Sequence, residues 1–91
     1  MVILHKEEGN EGVFYIEENG EALAEMEYTK EEGRMVIQHT EVDESLRGKN
    51  VGFELVERGV EYAREAKMKI VPLCQFAKKV IERHKEFQDV L

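Results

Sequence analysis

Between Val42 and Val51 the apolar residues of this chain change their spacing, and that change limits what the chain can fold into. Upstream they recur at every second position, as in strands with one wet face. Downstream they recur every three or four, as in a helix laid against a surface. The joint, Leu46-Arg47-Gly48-Lys49-Asn50-Val51-Gly52, is a basic, glycine-containing turn at the start of that helix. Backbone N–H groups there lack intrahelical partners, and the helix dipole adds partial positive charge, so the turn draws anions. Arg47 and Lys49 add two full charges in a chain of net charge −7. The turn reads as a holder for the diphosphate of a coenzyme.

The elements around it follow from the same periods. Residues 2–7 read as a first strand and Gly9-Asn10-Glu11-Gly12 as a turn. Val13-Phe14-Tyr15-Ile16 has strand composition, and Asn19-Gly20 after it is a strong hairpin signal, since both residues accept positive φ. In a third strand Ala22, Ala24, Met26 and Tyr28 share one face and Glu21, Glu25 and Glu27 the other; Leu23 breaks the alternation. Arg34 to Val42 makes a fourth strand, with Val36, Gln38, Thr40 and Val42 on one face and Met35, Ile37, His39 and Glu41 on the other. The stripe Val51, Leu55, Val56, Val60 and Ala63 specifies an amphipathic helix. Gly59 inside that helix costs about 1 kcal/mol relative to Ala, which a closer approach to the sheet would offset. Met68 to Val71 is a short fifth strand ended by Pro72. Leu73, Phe76, Ala77, Val80, Ile81 and His84 then recur at helical spacing to about residue 86. A helix between the fourth and fifth strands implies that the two are parallel. The expected fold is α+β: a mixed, mainly antiparallel sheet of about five strands with two helices, ordered β-β-β-β-α-β-α, with residues 1–91 forming one domain.

Composition removes several function classes. With 20 Asp and Glu against 13 Lys and Arg, no basic face is available for nucleic acid. There is no apolar run of about 18 residues, so no membrane span is expected. The first residues, Met1-Val2-Ile3-Leu4-His5-Lys6, do not resemble a signal peptide. One cysteine forms no internal disulfide, so the expected location is the reducing cytoplasm. His5, His39 and His84 are scattered and lack metal-ligand spacing. A core this small leaves a homodimer as one way of burying more surface.

Three features at fixed spacing carry a resemblance. Arg47-Gly48-Lys49-Asn50-Val51-Gly52 resembles the acyl-CoA-binding loop Arg/Gln-x-x-Gly-x-Gly/Ala of the GCN5-related N-acetyltransferases. His39-Thr40 followed by Val42, and Val71-Pro72-Leu73-Cys74-Gln75-Phe76 with Glu82-Arg83-His84 beyond it, resemble the minimal branch of that superfamily. The resemblance spans roughly residues 12–88. It implies that the fourth and fifth strands splay to admit the pantetheine arm, whose amides would pair with the backbone of Glu41, Val42 and Asp43. The N–H groups of Arg47, Gly48, Lys49, Asn50, Val51 and Gly52 would take the diphosphate of acetyl-CoA or coenzyme A. Asn50 stands where the pattern has Gly, and Asn is the residue that best tolerates left-handed backbone in glycine's place. Larger members insert helices that form much of the acceptor pocket. This chain has none, so the resemblance does not name the acceptor.

The implied activity is transfer of an acetyl group from acetyl-CoA to an amine; the alternative is a coenzyme-A-binding module without turnover. Cys74, near a helix N-terminus, can act as a thiolate that relays the acetyl group, as the acid that protonates the departing coenzyme thiolate, or as a small core residue. His39 can be a general base for the ammonium acceptor or a packed histidine beside Ile37, and Glu41 is the alternative base.

Overall fold

The computed structural model describes residues 1–91. Five strands lie in sequence order in one sheet: β1 (Leu4–Glu8), β2 (Glu11–Glu18), β3 (Glu21–Glu31), β4 (Arg34–Val42) and β5 (Lys69–Pro72). β1 to β4 are antiparallel neighbours, and β5 runs parallel to β4 after the crossover helix α1 (Val51–Ala66). Helix α2 (Gln75–Arg83) and 3-10 turns over Lys85–Val90 complete the chain. The α+β fold and its element order are as expected from the sequence. The last helix is shorter than expected. His84 adopts an extended backbone (φ −125°) that stops α2, and the 3-10 turns continue the apolar spacing with Phe87 and Val90.

Both helices pack on the same face of the sheet. Phe14, Met26, Tyr28, Met35 and Ile37 from the strands join Leu55, Val60, Ala77, Ile81, Phe87 and Val90 in one cluster of 19 buried apolar residues. Gly59 lies directly on the sheet: a Cβ there would stand 2.7 Å from the Met26 methyl, so its lost helix propensity is offset by close packing. The opposite face of the sheet carries no helix.

Two bulges correct the strand-face reading. In β3, Ile16 pairs with Ala24 but Glu17 pairs with Ala22, so Leu23 is the extra residue and its side chain turns to the core without upsetting the strand. In β4, Ile37 pairs with Tyr28 but His39 pairs with Glu27, which leaves Gln38 as the extra residue. That one-residue slip moves every side chain after it to the other face. Thr40 and Val42 therefore join Met35 and Ile37 on the helix side, while His39 and Glu41 lie on the bare side. The expected grouping of His39 and Glu41 with Met35 and Ile37 is incorrect for this reason.

Far from the turn, β1, β3 and α1 are tied by a polar cluster. Tyr28, only 1% exposed, donates its hydroxyl hydrogen to Glu7 Oε2 at 2.5 Å and meets His5 Nε2 at 2.5 Å. Because that hydrogen is committed to Glu7, His5 must donate through Nε2–H. The His5 ring stacks on Phe14 with centroids 4.0 Å apart. Tyr62 also donates to Glu7, and Lys30 Nζ lies 3.3 Å from it. Hydrogen bonds from Tyr28, then Tyr62, lower the Glu7 carboxyl from 4.5 to about 2. A depressed carboxyl pKa stabilises the fold above the unfolded-state value, and that contribution fades as pH falls from 4.5 toward 2. The stability difference between wild type and Glu7→Gln, followed by urea unfolding, should be full at pH 6 and shrink steadily below about pH 4.5.

Candidate active site

The chain leaves β4 through a turn that exposes backbone donors. Asp43 caps the 3-10 turn Glu44–Leu46, its carboxylate accepting from Ser45 N at 2.9 Å and Ser45 Oγ at 2.6 Å. Arg47 N–H is bonded to Glu44 O and Lys49 N–H to Leu46 O. Those two residues therefore offer a ligand their side chains, not their amides. Asn50 is the N-cap of α1 in left-handed backbone (φ 61°, ψ 22°), with no side-chain capping bond. The first loop-to-helix bond is Glu54 N to Asn50 O at 3.1 Å. The amides of Gly48, Asn50, Val51, Gly52 and Phe53 have no backbone partner, which gives the turn five free donors at a helix N-terminus.

Asn50 thus holds the geometry that its position requires, at the strain of a non-glycine residue with positive φ. Asn50→Gly should relieve that strain, remove a side chain from the donor cluster, and tighten coenzyme A binding a few-fold by calorimetry. Equal or weaker binding would mean that the Asn50 side chain itself contacts the ligand.

A groove of about 660 Å³ opens between this turn and α2, lined by Val42, Arg47, Gly52, Phe76, Lys79, Arg83 and His84 among others. Gly52 and Phe76 set its width, since a Cβ at Gly52 would stand 2.5 Å from Phe76 Cζ. Phe76 is 43% exposed, so it belongs to the groove wall rather than to the buried stripe expected from its spacing. His84 donates through Nδ1–H to Val80 O at 2.7 Å and packs between Phe53 and Phe87.

At its inner end the groove approaches the point where β4 and β5 part. The two strands pair only over Arg34–Ile37 and Lys69–Pro72; beyond this, Leu73 and Cys74 both donate to Ile37 O, at 3.0 and 3.1 Å. The β4 edge from Gln38 to Val42 is left without a strand neighbour on that side. Asp43 N–H turns the other way, to Leu23 O at 2.7 Å, so it is committed within the sheet. By strand alternation Val42 and Thr40 face the open edge.

Cys74 sits at this edge as the N-cap of α2, with Sγ 3.4 Å from Thr40 Oγ1. Burial raises the thiol, but hydrogen bonds from the Thr40 hydroxyl and from the amides of Ala77 and Phe76 outweigh it, and the thiol lies below its ordinary value. His39 and Glu41 are on the far face of the same strand, 3.3 Å apart and more than half exposed. The structure therefore brings Cys74 to Thr40 and His39 to Glu41, on opposite sides of one open strand edge. Thr40, Phe76 and Arg83, quoted above only as motif residues, and Lys79 are additions to the site residues expected from the sequence. The spacing of Phe76, Lys79 and Arg83, three and then four residues apart, was the available signal for one helix face.

The family model described as GCN5-related N-acetyl-transferase matches residues 13–90. The chain belongs to the GCN5-related N-acetyltransferases. It is 38% identical to a GCN5-like protein of Staphylococcus aureus solved by NMR, with a TM-score of 0.72, over 96% of this chain and 85% of that one. Two larger proteins share the fold at low identity. The ribosomal-protein-alanine N-acetyltransferase of Brucella melitensis biovar Abortus 2308 is 15% identical with a TM-score of 0.68, over 84% of this chain and 62% of its own. Tetrahymena GCN5 is 8% identical with a TM-score of 0.64, over 88% of this chain and 51% of its own. No curated protein matches the sequence. As a GCN5-related N-acetyltransferase the chain is an acyltransferase, and the open β4 edge, the donor turn and the groove are its candidate acyl-transfer machinery.

Proposed function

We propose that this chain transfers the acetyl group of acetyl-CoA to a primary amine, with the donor held on the helix side of the sheet and the acceptor approaching from the bare side. The observation that carries this reading is continuity. Five free amides lead into a groove that ends at an unpaired strand edge beside a thiol with lowered pKa. The residues fit the donor: the turn amides and Arg47 suit a diphosphate, the wall from Gly52 to Phe76 suits an apolar arm, and Val42 offers backbone groups to its amides. The Thr40 amide, which faces the same edge toward the Cys74 sulfur, would polarise a thioester carbonyl lying there.

On the bare side His39 and Glu41 would take a proton from the acceptor ammonium, leaving the amine lone pair free to attack. In the direct route the new C–N bond replaces the thioester C–S bond, and the coenzyme leaves as a thiol. In the relayed route the Cys74 thiolate attacks first, the coenzyme thiolate leaves, and the amine then displaces Cys74 from its own acetyl thioester. Thr40, which exchanges a hydrogen bond with Cys74, would hold the thiol at the edge in either protonation state.

Two measurements test the reading together. Saturating coenzyme A should raise the thermal midpoint, and acetyl-CoA with a panel of amines should release free thiol. No thermal shift would overturn the coenzyme site. A shift without thiol release would instead support a coenzyme-binding module that does not turn over.

A further inference from the structure

The groove is lined by cations in an otherwise acidic molecule. Arg47 stands on the turn side and Lys79 and Arg83 on the α2 side, and none of its 13 lining residues is Asp or Glu. Two other surface cavities each carry four carboxylates: Glu7, Glu8, Glu11 and Glu27 in one, and Glu25, Glu41, Asp43 and Glu44 in the other. Three cations outside the groove are held in ion pairs: Lys30 with Glu7, Arg58 with Glu61, and Arg64 with Asp89. Lys79 and Arg83 have neither an ion pair nor a side-chain hydrogen bond, although 20 carboxylate side chains are present in the chain. They are four residues apart on one helix face, a spacing at which like charges repel. An anion lying between them and the turn would attract both and offset that repulsion.

A diphosphate is already served by the five turn amides and Arg47, across the groove from α2. Arg83 lies nine residues, or about 14 Å, along the helix axis from Cys74, at the end of the groove farthest from the open strand edge. The coenzyme's adenosine would occupy that end if its sulfur lies near Cys74. Its ribose carries a separate phosphomonoester, close to a dianion at neutral pH. We infer that Lys79 and Arg83 form a second phosphate subsite that takes this 3′-phosphate and distinguishes coenzyme A from dephospho-coenzyme A. The inference rests on the coenzyme reading above and adds a specificity to it.

Calorimetry with both ligands at low and high salt tests it. The wild type should bind coenzyme A about tenfold more tightly than dephospho-coenzyme A, consistent with charge-assisted contacts, and salt should narrow that gap. Lys79→Gln and Arg83→Gln should each weaken coenzyme A several-fold while leaving dephospho-coenzyme A unchanged, and the double variant should erase the preference. Lys78→Gln, an equal charge change at an exposed residue outside the groove lining, should preserve it. Thermal midpoints without ligand check that the variants are folded. Equal wild-type affinity for the two ligands overturns the inference while leaving the coenzyme site standing. So does an equal loss of both ligands in the variants, or the same effect from Lys78→Gln. Failure of both ligands to bind overturns the coenzyme reading and the subsite together.

Discussion

Cys74→Ala is expected to lower kcat about a hundredfold while leaving coenzyme A affinity unchanged, the scale of losing a positioned acid, base or nucleophile. The affinity should hold because Cys74 and Thr40 lie beyond the groove lining, inward of Phe76 and Val42. The pH profile separates chemistry from packing. A thiolate nucleophile needs its proton removed, so wild-type turnover should rise with pH through a thiol pKa below the ordinary value, and the variant should lose that limb. Cys74→Ser keeps a hydroxyl within reach of Thr40 but does not ionise at neutral pH, so under the relay it should be nearly as slow as alanine. Mass spectrometry after incubation with acetyl-CoA should find the acetyl group on Cys74. Normal turnover in Cys74→Ala, with no adduct in the wild type, would remove the residue from the mechanism and leave direct transfer.

The largest stability loss should come from Gly12→Ala. In an ordinary strand this change is mildly stabilising, since glycine in a strand interior costs roughly 0.5–1 kcal/mol relative to alanine. Here Gly12 pairs with Tyr28, and a Cβ would overlap the Tyr28 Cζ and hydroxyl. The tyrosine cannot easily retreat, because it is buried and bonded to His5 and Glu7. Overpacking costs about 1–3 kcal/mol, and a buried hydroxyl or carboxylate losing its partner costs a further 1–3 kcal/mol, so the sign reverses. A net loss of about 3 kcal/mol would lower the thermal midpoint of a domain this size by more than about 10 °C. NMR titration supplies a second readout: displacing Tyr28 should move the Glu7 carboxyl from about 2 back toward 4.5. An unchanged midpoint would mean that the β1–β2 turn shifts to make room at little cost.

Which parts of this molecule are readable in its sequence follows from the range of the forces involved. β4 and the start of α1 fall where expected, because the change from period 2 to period 3.6 is local and the turn between them carries its own chemistry. The faces of β4 after Ile37 are not readable. The bulge at Gln38 exists only in the register with β3, and a one-residue slip leaves no mark in the pattern of a single strand. That slip places Thr40, rather than His39, beside Cys74. The end of α2 is obscured for a different reason, since 3-10 turns keep Phe87 and Val90 on the apolar side as a longer helix would. Lys79 and Arg83 read as an ordinary solvated helix face, and only the docking of α2 against the turn makes them groove lining.

The order of strands has a consequence for how the site comes into being. β1 to β4 are neighbours both in sequence and in space, so each hairpin closes over a short loop. β5 joins only after α1 has spanned the interval, which makes the β4–β5 pairing the long-range step of assembly. The donor turn follows the early meander, whereas Cys74, Phe76, Lys79 and Arg83 arrive with the late segment. Amide exchange in α2 should therefore occur through partial openings that leave β2 and β3 protected. A ligand bridging the two segments would close those openings first, so coenzyme A should slow exchange in α2 more than in the meander. The last part of the chain to dock would then be the part that binding holds in place.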